Sequence, residues 1–297
     1  MQHYTVGGQD HIAEAGPEEH DLDRWTSALA GIETKLPTPE YLLGEDPLRH
    51  ALLAEFAFQA IAEDKATRAI TALVAEAPDS ETLEFYASQL VDEARHRRMY
   101  REHIRDLGVP AEQLDQVINQ YAEATAELVL APIERYGLEM MAQHQDFYRG
   151  VLVVTVLVEG VVAPITELSE RKWRPLDPEA GRIQRVANRD ETRHLAVGGT
   201  IIHRYLKDNP DKREGLLDVV HAGRELWDSV PMEGLQLMME QVFQQGMELH
   251  RDLVGGHEIW PGRRMIDTTP EERTAMASRW VRQIQEERLE YMMLSDR

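Results

Sequence analysis

The sequence predicts an all-α protein: a four-helix bundle core with a crossover connection and additional helices. Three observations point there. Apolar residues recur every three to four positions over long stretches. Short breaks separate those stretches: "APDS" at 77–80, "LGVP" at 107–110, "WRPLDP" at 173–178, "KDNPDK" at 207–212 and "WPGRR" at 260–264. No stretch alternates with a strand period for long enough to build a sheet.

Taken in order, residues 1–46 mix Gly, Pro and charge and close on "LPTPEYLLGEDP", which predicts an irregular arm with one short helix near Trp25. Regular structure starts after Pro47. The breaks imply helices over about 48–76, 80–107, 111–145, 147–172 and 178–207. Residues 47–297 are read as a single helical domain, with the bundle core in 48–207. About three more helices are expected in 211–297, among them "LQLMMEQVFQQGMELHRDLV" and "PEERTAMASRWVRQIQEERLEYMML". The longest apolar stretch, "GVLVVTVLVEGVVAPI" at 150–165, has an acid in its middle and is shorter than a membrane span requires, so it reads as a buried core helix.

Composition narrows the function. The 297 residues are 42% hydrophobic, enough for one large domain or two small ones with a proper core. With 32 basic against 53 acidic residues the formal charge is -21, which disfavours nucleic acid and membrane surfaces as partners. There is no cysteine, so disulfides, thiolate ligands, iron–sulfur ligation by this chain and cysteine nucleophiles are excluded. Any metal must be held by nitrogen and oxygen. The N-terminus lacks the basic flank and apolar stretch of a secretory signal, so a soluble, cytoplasmic protein is expected.

One charged string occurs twice inside helical patterns: "VDEARH" at 91–96 and "RDETRH" at 189–194. Glu and His at i and i+3 share a helix face and can point at one ion. The spacing alone is weak, since roughly one or two such pairs arise by chance in a chain this rich in Glu and His. The doubled D-E-x-R-H string has a chance probability on the order of 10⁻⁵, and that carries the signal. Both copies sit on apolar stripes, Leu83, Tyr86, Leu90, Glu93, His96, Tyr100 in one and Ile183, Ala187, Glu191, His194, Gly198, Ile201 in the other. The acids therefore face the core, where a bare carboxylate is penalised by several kcal/mol unless a cation meets it. Glu159 is the only ionisable group in its apolar stretch; the alternative to a metal ligand is a protonated or solvent-reached Glu. On the first helix the candidates are Glu55 and Glu63, and Glu63 is preferred because it precedes Glu93 much as Glu159 precedes Glu191.

Glu63, Glu93-x-x-His96, Glu159 and Glu191-x-x-His194 resemble the six ligands of the ferritin-like carboxylate di-iron proteins, over roughly residues 48–207. The D-E-x-R-H form is most similar to the bacterial multicomponent monooxygenase hydroxylases. What the resemblance implies is a ferritin-like bundle holding two Fe ions, with manganese in one site as an alternative, reduced by an external electron donor or reductase. O2 would be the co-substrate, beside a pocket for a small-molecule substrate. By the same resemblance Asp92 and Asp190 would each accept the free N–H of the histidine on the opposite helix, with Arg95 and Arg193 balancing their charge. An exposed salt-bridge ladder is the alternative for those four. Tyr100 matches the place of the radical tyrosine in ribonucleotide reductase small subunits, and plain packing is its alternative.

The match has departures. The hydroxylases carry a threonine one turn after the third-helix Glu, where this chain has Ala163 and then Pro164. The arylamine N-oxygenases add a histidine at the position of Ala187 here. His144 is the remaining histidine to watch, for structure or substrate contact. Length and the segments "VLVEGVVAP" and "DETRHLAVGG" look most like the stand-alone di-iron proteins of natural-product pathways, such as that of the azoxy antibiotic valanimycin. That narrower likeness implies oxidation at nitrogen, of an amine or hydrazine toward an azoxy-type product; separately, a homodimer is expected. C–H hydroxylation or desaturation, a ferroxidase, a radical-storing subunit and a metal-free helical scaffold are the competing readings. Helix positions facing the metals, Phe56, Gln59, Ala60, Tyr86, Leu90, Thr155, Val156, Val162, Ala163 and Thr166, are expected to line the pocket.

Overall fold

The punctuation read from the sequence supplies the helix caps. The structure, a computed structural model, describes residues 35–144 and 146–295. The short helix expected near Trp25 and the side chain of His144 lie outside the described residues. Helix α1 spans Pro47–Ala75, with Asp46 accepting from the Leu48 amide at 2.8 Å and Pro47 at the first helical position. Helix α2 spans Ser80–Asp106 behind an Asp79 cap. The third long element, α3 (114–144), joins Leu114–Thr125 and Ala131–His144 through a π-helical turn at Ala126–Leu130. The fourth, α4 (147–173), starts at an Asp146 cap with Phe147–Leu152, passes through a π-helical segment at Val153–Glu159 and ends with Gly160–Trp173. Helix α5 spans Pro178–Asp208 behind Asp177.

Beyond the bundle come α6 (Arg213–Ser229), α7 (Met232–Leu249), the short α8 (Arg251–Val254), strands β1 (Glu258–Trp260) and β2 (Arg263–Arg264), and α9 (Pro270–Tyr291). The strands pair antiparallel around the "WPGRR" break, a ribbon too short to leave a period in the sequence. Thr269 and Glu272 close a reciprocal capping box at the start of α9.

Helices α1 and α2 pack as one pair and the second half of α4 with α5 as another; α7 lies on α1, and α9 on α4 and α7. Each long core helix crosses two apolar layers. One layer contains Phe56, Tyr100, Trp173 and Ile183; the other contains Ile70, Tyr86, Val154 and Ile202. Glu63, Glu93, Glu159 and Glu191 fall between those layers on all four helices. Leu83, in the first turn of α2, is 42% exposed, so the buried stripe of that helix begins at Tyr86. The segment 35–46 is not a free arm: Leu42 is fully buried, the Tyr41 hydroxyl donates to the Leu176 carbonyl, and the Leu36 amide donates to Glu179 at 3.0 Å. Phe147–Trp173 as a whole is long and apolar enough to cross a bilayer, longer than the 150–165 stretch suggested. Of its most apolar window, 78% is buried inside the protein.

A second buried polar cluster accounts for Glu55. Its carboxylate accepts from Ser169, from Lys172 at 3.1 Å and from Gln184 at 3.4 Å, while Lys172 and Arg273 both reach Glu240, at 2.6 and 2.5 Å. Glu55 thus has a cation of its own in Lys172, and Asp64 has Arg68 and Arg97, which leaves Glu63 as the α1 acid without a lysine or arginine.

Asp177 caps α5 and also holds the buried His103 at 2.8 Å from the last turn of α2. Asp177→Ala removes a cap and strands a buried imidazole, so a loss of about 2–4 kcal/mol is expected by urea unfolding.

Candidate metal centre

Six side chains from four helices meet in the middle of the bundle. Glu63 comes from α1, Glu93 and His96 from α2, Glu159 from α4, and Glu191 and His194 from α5; all are at most 5% exposed. His96 Nδ1 lies 3.5 Å from Glu93, 3.8 Å from Glu63 and 3.9 Å from Glu191. His194 Nδ1 lies 3.3 Å from Glu93, 3.7 Å from Glu159 and 3.9 Å from Glu191. The donor atoms fall into two overlapping groups, Glu63–Glu93–His96–Glu191 and Glu93–Glu159–His194. Within each, all atoms lie within 4.8 Å of one another, so each could hold a metal ion. Glu93 belongs to both.

Buried polar atoms normally find partners. Here Nδ1 of both histidines, Oε2 of Glu159 and Oε2 of Glu191 have none. All four unpartnered atoms belong to side chains of the two groups, and a metal ion would give such atoms the partner they lack. Oxygen and imidazole donors in two adjacent sets suit two hard or borderline divalent cations, Fe or Mn. Two such ions would balance the four carboxylates.

The other face of each imidazole is held. His96 Nε2 sits 3.2 Å from Asp190 and His194 Nε2 sits 3.3 Å from Asp92, each across to the opposite motif helix. Arg95 donates to Asp92 at 2.7 Å and to Asp190 at 2.5 Å, and Arg193 donates to Asp92. Both aspartates are buried, Arg95 is partly buried and Arg193 is 47% exposed, so the four run from the interior beside the histidines out to the surface. An acid on Nε2–H fixes the tautomer and leaves Nδ1 free for an ion.

In the absence of metal, protons occupy the cations' place. Burial drives Glu63 well above the usual carboxylate range, and the charge of Glu93 adds to it. Burial also raises Glu159, with the charges of Glu191 and Glu93 assisting, and Glu191, with the charge of Glu93 assisting. For Glu93 burial opposes ionisation, but the close approach of His96 and Glu63, together with the charge of His96 and His194, outweighs it and brings the carboxyl to about 2. Burial likewise opposes the imidazolium forms. The nearby carboxylates nonetheless lift both imidazoles, Asp190 and then Glu93 bringing His96 to about 9, and Asp92 and then Glu191 bringing His194 to about 11.

Gln89, one turn before Glu93 and 1% exposed, is a site residue that the motif search passed over. Its amide donates to Glu159 and, at 3.4 Å, to Glu93. The available signal was an uncharged polar side chain at i−4 on the same buried stripe. Tyr100 is fully buried and donates to Gln184 at 2.9 Å, packed edge-on against Phe56.

A cavity of about 150 Å³ reaches the site between α1, α3 and α4. All four glutamates line it, and the rest is largely aliphatic, including Ala66, Ile70, Ile133 and Val162, with Trp227 and Met232 from the C-terminal helices. Of the expected pocket residues only Val162 lines it. Phe56, Gln59, Ala60, Tyr86, Leu90, Thr155, Val156, Ala163 and Thr166 do not. They face the interior packing: Phe56 meets His103, Gln59 approaches Thr166 at 3.4 Å, and Tyr86 packs on Phe147. The cavity lies on the α3 side, a direction that the core stripes do not reveal.

No protein-family model matches the chain, and no curated protein matches it in sequence. Among solved structures, a variant of an R2-like ligand-binding oxidase with an aerobically reconstituted Fe/Fe cofactor aligns with a TM-score of 0.58. The identity is 16%, over 97% of this chain and 99% of that one. A protein from Synechococcus with aldehyde deformylating oxidase activity gives 0.55 at 17% identity, over 84% and 93%. Another R2-like ligand-binding oxidase variant, with a Mn/Fe cofactor, gives 0.53 at 12% identity, over 95% and 98%. At such identities the likeness is one of fold: the chain has the ferritin-like helical architecture of these oxidases.

Because His96 and His194 keep their protons at neutral pH in the metal-free site, Fe(II) or Mn(II) must displace them. Loading is expected to release at least about two protons per ion pair and to strengthen as pH rises. Calorimetry in two buffers of different ionisation heat measures the release. Asp190→Asn, which weakens the hold on His96, is expected to lower metal affinity about 10–100-fold in a competition titration.

Proposed function

We propose that this chain is a non-haem dinuclear-metal oxidoreductase that uses O2 to oxidise a small, largely apolar organic molecule. The observation that carries the reading is the cavity: it is mostly aliphatic, and all four carboxylates of the site line it. The solved oxidases of the same fold, described with Fe/Fe and Mn/Fe cofactors, support it.

Glu63, Glu93, His96 and Glu191 would hold one ion, and Glu93, Glu159 and His194, with Glu191 near both, the other. When bound, the ion pair supplies the electrons and open coordination positions at which dioxygen is reduced. Around it, Asp92 and Asp190 hold the imidazole N–H groups, and Gln89 restrains the carboxylates of Glu93 and Glu159. The aliphatic walls exclude water, which protects a reactive site from side reactions. For a monooxygenation, one oxygen atom goes to the substrate and the other leaves as water. Two protons and two electrons are consumed, the electrons from an external donor.

The finer reading is oxidation at nitrogen, of an uncharged amine or hydrazine toward an azoxy-type product in natural-product biosynthesis. The cavity supports it in one respect. Its two cations, Lys65 and Arg68, are engaged by Glu134 and Asp64, which leaves no free cation for an anionic substrate head. A ferroxidase is less well served, since an aliphatic passage offers hydrated Fe(II) few oxygen ligands on the way in.

Iron-loaded, chemically reduced protein is expected to take up O2 and transfer labelled oxygen from ¹⁸O2 to an aliphatic amine or hydrazine, read by mass spectrometry. O2 uptake that yields only ferric iron would reject the reading. Gly137 lines the cavity, and a Cβ there would meet only Val153 Cγ1, at 3.6 Å. Gly137→Leu is therefore expected to raise KM for the bulkier substrates about tenfold with metal content unchanged.

A further inference from the structure

Glu159 is the one glutamate of the site that leaves a helix out of α-register. It closes the π-helical segment Val153–Glu159, in which the Gly160 amide reaches back five residues to the Thr155 carbonyl. Where i+5 bonding returns to i+4, two successive carbonyls compete for one amide, so one is short of a donor. Pro164, a turn further on, lacks the amide that would reach the Gly160 carbonyl, so the helix is weakened on that side of the segment too.

Two side chains from the C-terminal helices meet this need. Gln285 Nε2, on α9, donates to the Val156 carbonyl at 3.2 Å, and Trp227 Nε1, on α6, donates to the Leu157 carbonyl at 2.6 Å. Val156 is the residue that follows Thr155, where the competition falls. The seat is also cut to shape. A Cβ on Gly198 would lie 2.0 Å from Thr155 Oγ1, and a Cβ on Gly223 would lie 2.1 Å from Leu157 Cδ1, so larger residues would push the segment out. A one-residue change of register turns the following side chains by about 100° around the helix axis, enough to carry a glutamate off the site.

We propose that Trp227 and Gln285 are positioning residues of the metal centre: they hold the π register of 153–159 and thereby keep the Glu159 carboxylate turned toward Glu93 and His194. This rests on the reading of the six side chains as a metal site. It assigns a task to the segment after residue 211, which the ligand motif leaves without one.

The test uses the full chain and the double variant Trp227→Phe/Gln285→Met, which removes both donors and keeps most of the bulk. In the metal-free proteins, hydrogen–deuterium exchange of peptides covering 153–163 is expected to quicken about tenfold or more in the variant, while peptides around His96 stay unchanged. In Co(II) and Mn(II) titrations, one of the two ions is expected to bind at least about tenfold more weakly, and the other to bind as in the wild type. Unchanged exchange together with two unchanged affinities would overturn the proposal. Should the double variant not fold, Gln285→Met alone, away from the cavity, is read by the same exchange measurement with the same criterion. A wild-type chain that binds no metal would remove the metal-site reading, and the exchange comparison would still decide whether the two donors hold the register.

Discussion

Four carboxylates buried between two apolar layers are the constraint on which this structure turns. In a medium that solvates charge poorly, they cannot all ionise without cations of their own. Elsewhere in the core the protein supplies those cations. Glu55 and Glu240 have Lys172 and Arg273, and the four charges neutralise one another beneath the Phe243 ring. At the centre, among the described residues, it supplies no lysine or arginine. Two imidazoles face four acids, and the lysines and arginines nearby are engaged by Asp92, Asp190, Glu134 and Asp64. The arrangement concentrates negative charge that protons can balance and that divalent cations, for which the donor atoms are grouped, can balance in their place.

Much of this was legible from the residues. Long 3.6-period runs and short breaks gave the bundle helices to within about four residues. The doubled D-E-x-R-H string located the two helices that face each other, because only a shared environment makes the same four residue types useful twice. Glu63 and Glu159 followed from their apolar neighbours. The aspartate–arginine lattice followed from the family resemblance, and the distances put those side chains where it implied.

The remainder was hidden for physical reasons. Val153–Glu159 lies in a run that is apolar on every side, so a π-helical turn changes no visible period: the pattern has no phase to shift. The cavity depends on how α3 crosses α1 and α4, a tertiary fact that the stripe of one helix cannot carry, and so most of the expected lining residues turned out to be packing. Gln89 was passed over because glutamine is neither a ligand nor a charge. Trp227 and Gln285 act on main-chain carbonyls some 70 and 129 residues away in sequence, which no local spacing encodes.

The aspartate–histidine contacts have one further consequence. Asp92 of α2 steadies His194 of α5, while Asp190 of α5 steadies His96 of α2. The two hairpins are therefore laced crosswise, like a pair of hands each gripping the other wrist. If one hairpin drifts, both imidazoles lose their brace together, so neither half of the centre can slacken alone. Symmetry in the sequence has become mutual dependence in the fold.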